Sequence, residues 1–104
     1  MTTSERMPLT NLVSLAESLP TSWRSTLVGK AAGANFKVLR MDGSAYPAEV
    51  HAFDEALLVL EGQMNLRFDE TVVPVMAGDV YIVPAGVSHA VAPGSHGTLL
   101  IIDP

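Results

Sequence analysis

Beyond Pro20 the chain never sustains a helical stripe; short apolar runs alternate with Gly and Pro turns roughly every ten residues. The punctuation falls at Gly43, Glu61-Gly62, Asp69-Glu70, Ala77-Gly78-Asp79, Pro84-Ala85-Gly86 and Pro93 to Gly97. Strands are expected between them, over 36–40, 49–60, 64–68, 71–76, 80–83, 89–92 and 98–102. Within them Phe36 and Val38 alternate with Lys37 and Leu39, and Met64, Leu66 and Phe68 alternate with Asn65 and Arg67. This spacing suits a sandwich or barrel rather than any helical fold. One helix precedes it. Thr10 or Asn11 caps a short segment with Leu12, Leu15, Ala16 and Leu19 on one stripe, and Pro20 stops it. Residues 1–8 read as a loose arm. The chain is therefore all-β with a helical N-terminal segment: an arm and helix over 1–35, then a barrel over 36–104.

Composition narrows the partners. The net charge of −5 argues against nucleic acid and against an anionic membrane surface, both of which want a basic face. No apolar run is long enough to span a bilayer, and the N-terminus shows no secretory signal pattern. The absence of cysteine excludes thiolate metal sites and fits a reducing cytosol, so the expected location is cytoplasmic.

The stretch EVHAFDEALLVLEG, residues 49–62, poses the functional question. Its second half is a buried strand, yet its first half carries Glu49, His51 and Glu55. Burying such groups costs several kcal/mol unless something pairs with them. Glu49 and His51 are two apart and share a strand face, and Glu55 keeps that face if the strand merely bends. His89, after the Pro84-Ala85-Gly86 turn, can return from an adjacent strand. Two imidazoles and two carboxylates form a plausible shell for a divalent ion: iron, manganese, zinc or nickel.

The spacing of these residues resembles the two motifs of the cupin family. The first family motif is G-xxxxx-H-x-H-xxx-E-xxxxxx-G, and the chain runs Gly43, Glu49, His51, Glu55, Gly62 at the same intervals. The second is G-xxxxx-P-x-G-xx-H-xxx-N, and the chain runs Gly78, Pro84, Gly86, His89, with Pro93 in place of Asn. The resemblance implies a jelly-roll β-barrel over residues 36–104, with His51, Glu55 and His89 on three of the family's four ligand positions. Glu49 stands where the family has its first His. A carboxylate there gives a shell of two His and two Glu, which neutralises a divalent ion and favours harder metals. The resemblance also implies a homodimer.

Three functions stay open on these residues. One is a metal-dependent oxygenase or isomerase acting on a small organic molecule. The second is a binding protein for a sugar or small acid, without chemistry. The third is a metal-free structural cupin. Leu57, Val59 and Val91 would wall the pocket in each case. Trp23 and Tyr46 are candidates for the barrel mouth, and Tyr81 reads as barrel wall. His96, in a turn composition, is expected to be exposed, and Asp54 to serve a cap or turn rather than an ion. No nucleophile elbow is present.

Overall fold

The computed structural model describes residues 9–104. The arm expected over 1–8 lies outside the described residues. The helix forms as α1, Leu12–Ser18, and of the two candidate caps Asn11 does the work: its side chain accepts the Ser14 amide at 2.9 Å. Ala16 is fully buried and Leu12, Leu15 and Leu19 are half-buried, so the stripe faces the protein. It packs on the outer face of the strands that follow, where Arg40 Nη1 donates to the Ala16 carbonyl at 3.3 Å.

Eight strands follow: β1 Thr26–Ala31, β2 Ala34–Asp42, β3 Tyr46–Glu49, β4 Glu55–Phe68, β5 Thr71–Met76, β6 Val80–Val83, β7 His89–Val91 and β8 His96–Asp103. They form one curled antiparallel sheet in the order β1-β2-β8-β4-β7-β3, with β5 and β6 also paired to β4. The all-β jelly-roll expectation holds. Inside the curl lie Leu39, Met41, Leu57, Val59, Met64, Leu66, Val75, Val83 and Leu99. These are the alternate residues of β2, β4, β5, β6 and β8, because a strand sends every second side chain to the same face.

Three local expectations are corrected. Thr26–Ala31 is a strand, paired to β2 across the Ala32-Gly33 turn. Its run of Val28, Gly29 and Lys30 carries no period-two alternation, which hid it. The expected strand over 49–60 is two strands separated by a loop, since β3 ends at Glu49 and β4 starts at Glu55. Asp54 Oδ1 accepts the Ala85 amide at 2.9 Å, and the Gly86 amide donates to the His51 carbonyl at 2.8 Å. These bonds fasten the loop to the 84–87 turn, and they give Asp54 the turn role expected of it.

The third concerns Gly62, where a turn was expected and the strand continues without a break. Before it β4 pairs with β6 and after it with β5 and β7, while the ladder to β8 runs from Ala56 through Gln63. Gly62, at φ 82°, faces Gly97, at φ 104°, across the β4–β8 ladder. A Cβ on Gly62 would meet the His96 carbonyl oxygen at 2.1 Å, and one on Gly97 would meet the Glu61 oxygen at 2.0 Å. Both positions need glycine, for conformation and for space. This kink lets one strand serve both walls of the barrel.

Candidate metal centre

The ladder between β3 and β7 places Glu49 directly opposite His89. The loop then brings His51 back over them. One ligand atom each from Glu49, His51 and His89 lies within 4.8 Å of the other two. Glu55, first residue of β4, reaches between the two imidazoles: its Oε1 is 3.2 Å from His89 Nε2, and its Oε2 is 3.6 Å from His51 Nε2. Glu49 Oε1 lies 3.8 Å from the same His51 nitrogen. All four residues singled out from the sequence converge, though Glu49 and His51 do so through a loop rather than along a shared strand face.

The hydrogen bonding around the imidazoles is informative. His89 Nδ1 lies 3.0 Å from the Val87 carbonyl oxygen, which can only accept, so the ring donates there. A neutral His89 then presents the lone pair of Nε2 to a carboxylate oxygen. Among the described residues, His51 Nε2 is buried and has no hydrogen-bond partner. The His51 ring is held by stacking on Phe53, with centroids 4.9 Å apart and planes at 14°. The His89 lone pair, the His51 Nε2 and the carboxylate oxygens of Glu49 and Glu55 thus meet around one point. A divalent ion answers that arrangement. Ligands about 2.0–2.2 Å from a metal stand about 3.0–3.5 Å from each other; the His–Glu separations here are 3.2, 3.6 and 3.8 Å. The residues fit a divalent metal, and a His Nδ1 donating to a backbone carbonyl is the usual way such a ligand is oriented.

The site forms one wall of a cavity of about 200 Å³. Leu57 and Val91 line it as expected, while Val59 is fully buried in the core beneath and does not. Trp23 and Tyr46 stand at the rim with ring centroids 5.5 Å apart. Tyr81 packs against Phe68 at 5.2 Å, as barrel wall. His96 is exposed at the start of β8.

Two features escaped the sequence reading. Lys37 and Asp103 face into the cavity as an ion pair, Nζ to Oδ2 2.6 Å. Alternation did put Lys37 on the face of Leu39, but nothing local showed which face of β2 lies inside. The other is the clamp on Trp23, whose indole N–H donates to Asp42 at 2.7 Å and to Ser44 at 2.9 Å. Serine hydroxyls of Ser44 and Ser22, the Ser44 amide and the Trp23 indole all donate to Asp42, which holds its carboxyl well below the ordinary carboxylate range. The partners of Asp42 span residues 22–44, a separation that no local pattern marks.

A match to the cupin domain family covers residues 38–103. The chain belongs to the cupin family. Among solved structures, this cupin is similar to a cupin-2 domain containing protein from Shewanella frigidimarina, with a TM-score of 0.83 at 23% identity, covering 92% of this chain and 94% of that one. It also superposes on hydroquinone 1,2-dioxygenase, solved with Cd2+ and 4-hydroxybenzonitrile, with a TM-score of 0.75 at 18% identity over 89% of this chain and 70% of that one. In sequence it is 32% identical over 77 residues to quercetin 2,3-dioxygenase of Bacillus subtilis. That match covers 70% of this chain and only 23% of the dioxygenase.

Proposed function

We propose that this cupin holds one divalent ion on Glu49, His51, Glu55 and His89 and acts on a small organic molecule as an oxygenase. The observation that carries the metal is the buried, unpartnered His51 Nε2 beside two carboxylates. A bound ion supplies Lewis acidity and, where it is iron or manganese, a route to dioxygen. The 32% identity to quercetin 2,3-dioxygenase supports oxygenation over isomerisation, although the chain spans about a quarter of that enzyme. The chain's own residues contribute the rest. His89 and His51 are fixed by the Val87 carbonyl and by Phe53, Glu55 bridges them, and the apolar walls of Leu57 and Val91 keep water from the bound molecule.

The test is metal analysis of protein purified without added metal, followed by oxygen consumption with small organic substrates. One equivalent of iron, manganese, nickel or zinc is expected. No metal, with stabilisation by a sugar or small acid, would make it a non-catalytic binder. Neither metal nor ligand would make it a structural cupin. The functional unit in this reading is a cytoplasmic homodimer. Val80 and Ile82, both more than half exposed on the outer face of β6, offer it an apolar surface. A monomer mass across a wide concentration range would exclude that assembly.

A further inference from the structure

We propose that the Lys37–Asp103 pair is a second anchor in the cavity, and that the ligand is a neutral, single-ring phenol lying against Trp23 with one hydroxyl bridging that pair. The charge part of this rests on the metal reading above. The position of the anchor comes from the register. On β8, Ile101 pairs with Lys37 on one side and with Leu57 on the other. Asp103 and Glu55, each two residues further toward the same end, therefore stand level on adjacent strands. Lys37 lies two strands across and two residues along from Glu55, about 12 Å between backbones. Because Asp103 stands beside Glu55, a ring with one hydroxyl at the candidate metal carries its ortho hydroxyl toward the pair.

The chemistry of the anchor selects the ligand. Asp103 is buried, accepts from Asn35 Nδ2 at 3.2 Å and is paired with the Lys37 ammonium. That ammonium carries three donors, and Asp103 occupies one. Together the pair offers a donor and an acceptor side by side, which a hydroxyl satisfies at both ends. A carboxylate or phosphate would satisfy only Lys37 and would face Asp103. The whole lining repeats this balance: one ammonium and a divalent ion offset the carboxylates of Glu49, Glu55 and Asp103. An anion would carry surplus charge into a poorly solvated space.

Size and shape agree. The cavity, at about 200 Å³, is smaller than the roughly 300–1,000 Å³ of sites for drug-sized ligands, which leaves room for one ring. Its aromatic wall is built in advance. Trp23 adopts φ 64°, uncommon for a bulky residue, and is held there by its amide on the Arg40 carbonyl at 2.9 Å and by its indole on Asp42. A planar ring meeting a rigid indole loses little freedom on binding.

Trp23 is the chain's single tryptophan, so its fluorescence reports on this wall alone. Zinc-loaded and metal-free protein would each be titrated with catechol, 3,4-dihydroxybenzoate and mannose 6-phosphate, by fluorescence and by calorimetry. Catechol should saturate one site, the benzoate should bind at least roughly tenfold more weakly, and mannose 6-phosphate should not bind. Lys37→Met should weaken catechol about tenfold, the scale of a hydrogen bond to a charged group. If that variant fails to fold, Lys37→Met with Asp103→Asn removes the unpaired carboxylate and reads the same loss. Catechol affinity equal to the parent in either variant would make the pair purely structural and overturn the proposal. Preference for either anion would overturn it too. Zinc binding without catechol binding sinks this inference and leaves the metal reading standing. Catechol binding that depends on Lys37 in protein that takes no zinc does the reverse, and loss of both overturns both.

Discussion

Glu55 Oε1 lies 3.2 Å from His89 Nε2, and both side chains are buried. With His89 Nδ1 donating to Val87, the two atoms that face each other are both acceptors when the imidazole is neutral. Glu55→Gln puts an amide donor opposite Nε2 without changing shape. Metal-free Glu55→Gln should therefore melt higher than metal-free parent, while its metal affinity drops by roughly 10–100-fold, the scale seen even for outer-shell partners. Thermal melts with and without chelator, and a competition titration, give both numbers. A lower melting point in the metal-free variant would mean that a proton already joins the pair.

Glu49 is half-exposed and His89 is buried, and this orders their losses. Glu49→Ala should weaken metal binding, but less than His89→Ala, because water can take the place of a carboxylate at the solvent side. Glu49→His should be tolerated and should shift preference toward softer, later metals, an anionic oxygen being exchanged for a neutral nitrogen. Competition titrations on the three variants measure the order. Parent-like affinity in Glu49→Ala would remove Glu49 from the ligand set.

Gly62 and Gly97 should be irreplaceable for a reason that separates them from other left-handed glycines. Gly33, at φ 74° with open space around its missing Cβ, should cost about 1–2 kcal/mol on substitution by alanine. Gly62→Ala and Gly97→Ala add a collision with backbone and should each cost more than about 3 kcal/mol. The double variant should lose less than the sum, since either change already forces β4 and β8 apart. Urea unfolding of the four variants checks this.

Acid should reach the rim late. Asp42 is held below its ordinary value of 3.8, so its contribution to stability is complete at neutral pH. That contribution starts to fall only below about pH 3.8 and is lost as the pH drops through the lower folded value. Trp23 emission should therefore stay constant as pH falls from 7 toward 4 in protein that remains folded. Asp42→Ala should shift that emission already at neutral pH, because the indole loses its acceptor. Unchanged emission in Asp42→Ala would show that the backbone alone places the ring.

The sequence by itself determined the fold class, the helix with a cap at Thr10 or Asn11, and the four residues of the candidate site. Turn residues, alternation and motif spacing are local or nearly local signals, and each survives without knowledge of what lies across the barrel. Tertiary structure decided which face of each strand points inward. Both faces of β2 are covered, one by the core and one by α1, so alternation alone could not send Lys37 to the cavity. It also decided that Gly62 bends a strand instead of ending one, because the reason for glycine there is the backbone of His96, 34 residues away. The pairing of Glu49 with His89 belongs to the same class. A ladder between distant strands exists only when the sheet has closed, and closure is set by the whole core rather than by any stretch of chain.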